Sequence, residues 1–176
     1  MKKQLLHSGW QLTTVGKNDT IPATVPGSVY NDLLNAGRME DPYWRDNEMK
    51  ALALMDEDYR YNTTFDVNAD VLNSERVLLR CEGLDTIADI VLNGEKIASV
   101  CNMHRTWEFD VKDSLKTTGN TLEIVFHSPT KYIKEQDKIC HAGGSDEAMV
   151  GFPNLRKAHC MFGWDWGCLL YTSDAA

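Results

Sequence analysis

The sequence predicts an all-β chain, folded as an antiparallel sandwich or jelly roll. Three observations predict it. Apolar and polar residues alternate with period two through most of the chain, the pattern of strands buried on one face. Turn residues recur about every ten positions, the spacing of short antiparallel strands. Asn93-Gly94 stands between two apolar runs, the strongest short-range hairpin signal, because both turn positions need positive φ.

The elements follow in order. Trp10-Gln11-Leu12-Thr13 is the first candidate strand. A helix is expected next, with Ser28 as N-cap, Val29, Leu33 and Leu34 as its apolar stripe, and Gly37 just past its end. Tyr59 to Val67 alternates, with Tyr61, Thr63, Phe65 and Val67 on one face and Asn62, Thr64 and Asp66 on the other. Arg76 to Cys81 reads as a continuous apolar run, hence a strand buried on both faces. Ala88, Ile90 and Leu92 lead into the Asn93-Gly94 turn, and Glu95 to Val100 is the returning strand. Trp107, Phe109 and Val111 alternate with Glu108 and Asp110. After a turn at Gly119-Asn120, Leu122, Ile124 and Phe126 alternate with Glu123 and Val125. Lys131 to Asn154 reads as a short helix followed by a long surface loop, and loops of that length are usually functional or disordered.

The bulk composition excludes several classes. A chain of 176 residues with 43% hydrophobic and 25% charged residues is that of a soluble globular domain with a real core. A net charge of −8 argues against nucleic acid or an anionic membrane surface as partner, since both need clustered Lys and Arg. No segment approaches the ~20 apolar residues of a membrane span, and the N-terminus lacks a signal-peptide run, so a cytoplasmic location is expected. The five cysteines are odd in number and scattered, without a CxxC, which suits free thiols in a reducing compartment. Cys140-His141 and His159-Cys160 match no common zinc spacing, so neither a metal nor a cofactor is expected. Clustered acids such as Asp56, Glu57, Asp58, Asp146 and Glu147 read as solvated loops, and no catalytic carboxylate pair stands out.

The richest chemistry lies near the C-terminus, in Arg156-Lys157-Ala158-His159-Cys160-Met161-Phe162-Gly163-Trp164-Asp165-Trp166-Gly167. Two tryptophans flank one carboxylate, with a glycine on each side. Indole faces stack on the C–H face of a sugar, a carboxylate accepts hydrogen bonds from hydroxyls, and glycine lets the backbone approach a ligand. By residue chemistry alone, Asp165 is equally a sugar ligand or a turn-capping residue between core tryptophans. Trp164 and Trp166 point away from Asp165 in an extended segment, so core packing is favoured for them over stacking on substrate. Arg156 and Lys157 read either as orienting groups for Asp165 or as an ordinary surface pair. Asn102-Met103-His104-Arg105 is either site lining or a polar turn. Asp85-Thr86-Ile87-Ala88 reads as structure, a polar start to a core strand. The nine residues Cys168 to Ala176 resemble a peptide read through a transposon-type sequencing adapter and are set aside as artificial.

Taken in order, these pieces resemble the N-terminal domain of the β-mannosidases of glycoside hydrolase family 2. The matching pieces are Ile21-Pro22-Ala23-Thr24-Val25-Pro26-Gly27-Ser28-Val29-Tyr30, Asp41-Pro42-Tyr43-Trp44-Arg45-Asp46-Asn47-Glu48, Gly83-Leu84-Asp85-Thr86-Ile87-Ala88, Leu92-Asn93-Gly94, Asn102-Met103-His104-Arg105, Ser128-Pro129, Arg156-Lys157-Ala158 and Trp164-Asp165-Trp166-Gly167. The resemblance implies a galactose-binding-like jelly-roll β-sandwich with one short helix, spanning residues 1–167. It further implies an exo-acting, retaining enzyme for terminal β-D-mannose, whose catalytic barrel lies outside this sequence. Asp165 would then reach into the barrel mouth and bind hydroxyls of the terminal mannose of a β-mannoside or manno-oligosaccharide, with Trp164 and Trp166 beside it. No catalytic residue is expected within these residues, and the fragment alone is expected to be inactive. A stand-alone carbohydrate-binding module and a purely structural domain are the competing readings. In the family pattern Pro usually follows the final Gly; here Cys168 does.

Overall fold

The computed structural model describes residues 2–143, 150–158, 161 and, for backbone only, 174–175. The elements in chain order are β1 (Gln11–Thr14), β2 (Thr20–Pro22), β3 (Gly27–Ser28), α1 (Val29–Asn35), α2 (Asn47–Leu54), β4 (Tyr59–Phe65) and α3 (Ala69–Leu72). They continue as β5 (Leu78–Cys81), β6 (Ile87–Leu92), β7 (Glu95–Cys101), β8 (Trp107–Asp110), β9 (Asn120–Phe126), α4 (Pro129–Ile139) and β10 (Asp174–Ala175).

Six strands form one antiparallel sheet in the order β2-β1-β4-β9-β6-β7, and β5-β8 form a second, short sheet. β10 pairs with β3 alone. The two larger units share one core: Val77 and Cys81 from the β5 side cluster with Leu12, Tyr61, Ile90, Leu122 and Phe126 from the six-stranded sheet. The result is a β-sandwich whose sheets remain open. Tyr61 and Phe126 meet edge to face, with ring centroids 5.9 Å apart, an arrangement the ring quadrupoles favour.

The period-two pattern maps onto this core directly. Along β9, Asn120, Leu122, Ile124 and Phe126 are buried, and the residues between them face outward. Asn93 and Gly94 both take positive φ, 53° and 84°, so the β6–β7 turn is the one its dipeptide encodes. α1 starts as expected, the Ser28 hydroxyl accepting from the Asn31 N–H at 3.2 Å. It closes with Gly37 in the left-handed region at φ 67°, which a side chain would resist. Its buried face differs from the expected stripe: Val29, Tyr30, Asp32 and Leu33 are inside, whereas Leu34 is exposed.

Two further expectations give way. One helix was expected besides the segment after 129; the described residues hold α1, α2, α3 and α4. α2 and α3 carry weak apolar patterns, and α4 starts at Pro129, where proline at the first turn is tolerated. The strand at 76–81 is not buried on both faces. Leu78 and Arg80 are exposed and β5 pairs with β8 alone, so it covers the core with one face only. Among the described residues no helix is long and apolar enough to cross a membrane.

Candidate functional site

The chain leading towards the Trp-Asp-Trp motif is tied down from both its backbone and its side chains. Leu155 is buried in the core. Arg156 bridges Asn102 in parallel, and its carbonyl accepts from the Met103 N–H at 3.1 Å. The Ala158 N–H donates to the Met103 sulfur at 2.9 Å. The Met161 N–H then turns back to the Ala158 carbonyl at 3.0 Å.

Between these backbone ties, Lys157 turns into the protein. It is 2% exposed and forms an ion pair with Asp85, itself 3% exposed. The Thr86 hydroxyl donates to the other oxygen of that carboxylate. Asp85 lies two residues before β6 and is enclosed with Leu84 and Thr86. Removing two such charges from water costs several kcal/mol each, so each requires the other. The reading of Arg156 and Lys157 as a surface pair is therefore corrected for Lys157, while Arg156 is exposed. Asp85-Thr86 is structural, as read, and also supplies the counter-charge that sequence reasoning missed.

Beside this anchor is an open depression of about 410 Å³ lined by His104, Pro153, Leu155, Arg156, Lys157 and Ala158. The Asn102–Arg105 turn forms its neighbouring wall. The Asn102 side chain accepts from the His104 N–H at 2.9 Å, and the Asn102 carbonyl accepts from the Trp107 indole at 3.1 Å. The Arg105 guanidinium sits 4.4 Å from the Trp107 ring centre, a cation–π contact. This turn thus joins the same corner as the 155–158 segment, which its local sequence could not reveal. Asp165, Trp164 and Trp166 lie outside the described residues.

A second charged cluster stands where β9 ends. His127 Nδ1 is 3.1 Å from Asp58 and Nε2 is 3.1 Å from Asp89. A neutral imidazole has one N–H, so only the doubly protonated ring donates to both carboxylates. Burial alone would lower the His127 pKa, but hydrogen bonds and charge from Asp58 and Asp89 outweigh it and raise the pKa. Asp89 is also held by Lys96 and the Ser99 hydroxyl, and despite burial its pKa is lowered to about 2. With both ring nitrogens engaged, His127 braces strands and has no lone pair to offer a substrate. Among the described residues, no cluster of three or more His, Cys, Asp or Glu side chains could hold a metal.

The profile of the glycosyl hydrolase 2 galactose-binding domain-like family matches residues 10–174. The chain belongs to that family. It is 32% identical to a β-mannosidase of Bos taurus over 172 residues, covering 92% of this chain and 19% of that protein. It is 35% identical to β-mannosidase A of Emericella nidulans, covering 90% of this chain and 17% of that protein. Among solved structures, the β-D-mannosidase of Dictyoglomus thermophilum superposes with a TM-score of 0.91 at 37% identity, over 97% of this chain and 21% of that one. An exo-chitosanase of Amycolatopsis orientalis shares the fold at a TM-score of 0.59 and 20% identity. The chain is thus homologous to the N-terminal domain of family 2 β-mannosidases and spans about a fifth of their length.

Proposed function

We propose that this chain is the N-terminal, sugar-recognising domain of an exo-acting β-mannosidase that removes terminal non-reducing β-D-mannose with retention. In this reading a barrel outside the sequence carries two carboxylates, ~5–5.5 Å apart. One attacks to form a covalent glycosyl-enzyme, and the other protonates the leaving oxygen and later activates water. Asp165 completes the sugar site by accepting hydrogen bonds from hydroxyls of the terminal mannose, with Trp164 and Trp166 walling it. The exposed Tyr43, Trp44 and Met49 supply apolar surface for packing against the barrel.

The observation that carries this reading is the near-complete match of the chain to the D. thermophilum β-D-mannosidase. The anchored 155–158 segment also suits a domain that must present its next residues at a fixed place. The test extends the reading frame past the Gly167 codon and assays both proteins on an aryl β-mannoside. Turnover is expected of the extended protein and not of the 176-residue chain. Turnover by the short chain, or an extended frame that lacks a barrel and hydrolyses nothing, overturns the proposal; in the second case mannoside binding by the short chain marks a binding module.

A further inference from the structure

We propose that Arg156 is a docking residue: its guanidinium, in the depression beside the 155–158 segment, receives a carboxylate from the part of the protein outside this sequence. This rests on reading the chain as one domain of a larger enzyme.

The other arginines set Arg156 apart. The sequence has seven, and all lie among the described residues. Arg38 faces Asp19, Arg60 faces Glu123, Arg76 faces Asp110, and Arg80 faces both Glu82 and Glu108. Arg45 and Arg105 lie over the rings of Trp44 and Trp107. Arg156 is exposed, and among the described residues its guanidinium has neither a carboxylate nor a ring.

Its backbone, by contrast, is fixed. Arg156 bridges Asn102, and its carbonyl accepts from the Met103 N–H at 3.1 Å. Leu155 and Lys157 on either side are each 2% exposed. An arginine whose base is already held loses less freedom on pairing than one on a mobile loop. The depression, about 410 Å³, has room for an incoming side chain and is walled partly by Pro153, Leu155 and Ala158, with His104 as a further polar lining group. A guanidinium offers a carboxylate two parallel N–H donors, and apolar walls strengthen such a pair by excluding water.

Charge decides the source of the carboxylate. The chain carries a net charge of −8, which repels a free anion. A carboxylate on the same polypeptide arrives at high effective concentration and overcomes that repulsion. The chain spans 19% of the Bos taurus β-mannosidase and 21% of the D. thermophilum enzyme, so in a protein of that size most of the polypeptide is available to supply the partner.

The experiment compares the short chain with the protein extended past the Gly167 codon, using phenylglyoxal as an arginine label read by peptide mass spectrometry. Arg156 is expected to react in the short chain and to be protected more than about tenfold, relative to the other arginines, in the extended protein. There, Arg156→Gln is expected to speed proteolytic release of this domain more than about tenfold, beyond the reach of a surface ion pair, and Arg156→Lys by less. Equal labelling in both proteins overturns the proposal, since Arg156 then faces solvent throughout. Protection without any effect of Arg156→Gln also overturns it, marking a covered arginine that meets no carboxylate. Acetate that protects Arg156 in the short chain marks a site for free carboxylates and overturns the docking role alone. An extended protein that has no second folded domain and turns over no aryl β-mannoside overturns the enzyme-domain reading, and the docking role with it.

Discussion

Among the described residues two aspartates are buried, and they are satisfied in opposite ways. Asp32, on α1, is 2% exposed and accepts from two neutral donors, the Thr24 N–H at 3.0 Å and the Tyr61 hydroxyl at 2.9 Å. Burial pushes its carboxyl above the usual range, and the two hydrogen bonds pull only partly against this. Asp85 is as deeply buried but faces the ammonium of Lys157. Dipoles leave a carboxylate costly to ionise; a cation makes the ionised form the reason the contact exists. Asp32 therefore behaves as a local brace joining α1, the 24–28 turn and β4. The Asp85 pair binds segments remote in sequence, and only the folded chain makes it.

Predictions that break or sharpen this contrast follow from the largest effect down. Lys157→Met leaves Asp85 without its cation and is expected to cost about 3–5 kcal/mol, read as a fall in urea midpoint or melting temperature. A loss below about 1 kcal/mol would make the pair no better than a surface contact. Replacing both partners, Lys157→Met with Asp85→Leu, is expected to recover most of that stability, and failure to recover it would show that the pair's hydrogen bonds outweigh its charge.

Asp32→Asn removes a charge that burial disfavours and is expected to cost no more than about 1 kcal/mol, near the net worth of one hydrogen bond. The pH dependence sharpens the test. The folded Asp32 pKa lies above the ordinary 3.8, so the folded state holds its proton longer than the unfolded chain. Wild-type stability from this group falls as pH rises above 3.8 towards the folded value, and the Asn variant should gain relative to wild type over that rise. A variant that instead loses ground as pH rises would mean Asp32 is stabilised as an anion, like Asp85.

The His127 cluster is an intermediate case, half exposed and tuned by charge. Its folded pKa lies above 6.5, so its contribution is complete below pH 6.5 and fades as pH rises through the folded value. Solvent screening keeps this within about 1 kcal/mol. His127→Gln should therefore cost more at pH 6 than at pH 8.5, and an NMR titration midpoint below 6.5 would refute the two-carboxylate clamp. Asp89, with a pKa of about 2 against an ordinary 3.8, contributes above pH 3.8 and loses that contribution as the solution acidifies towards pH 2. The smallest effect is chemical: burial pushes the Cys81 thiol up to about 11, so a thiol reagent should label exposed Cys101 and Cys140 first. Equal rates would place Cys81 nearer solvent.

How much was legible depended on range. The β6–β7 turn was readable because Asn93-Gly94 is its own cause. The Ser28 cap and Gly37 stop of α1 were readable because capping acts within one helical turn. The strand at 76–81 was misread because an apolar run does not say how many faces will be covered; that depends on which strand lies alongside. α2 and α3 were missed because their side chains carry little helical periodicity and context decides them. The burial of Lys157 was not legible, because nothing local chooses between an orienting and a surface lysine until its counter-charge is known.

The sequence by itself determined the β-rich class, the turn between β6 and β7, the ends of the first helix, and the family to which these residues belong. These rest on local conformational preference and on period-two burial, which each segment expresses alone. Only the tertiary structure decided that Asp85 meets Lys157, that the Asn102–Arg105 turn backs the same corner, and that His127 sits between two carboxylates. Each of those joins residues far apart along the chain, and the low dielectric that gives such contacts their strength exists only once the core has closed around them.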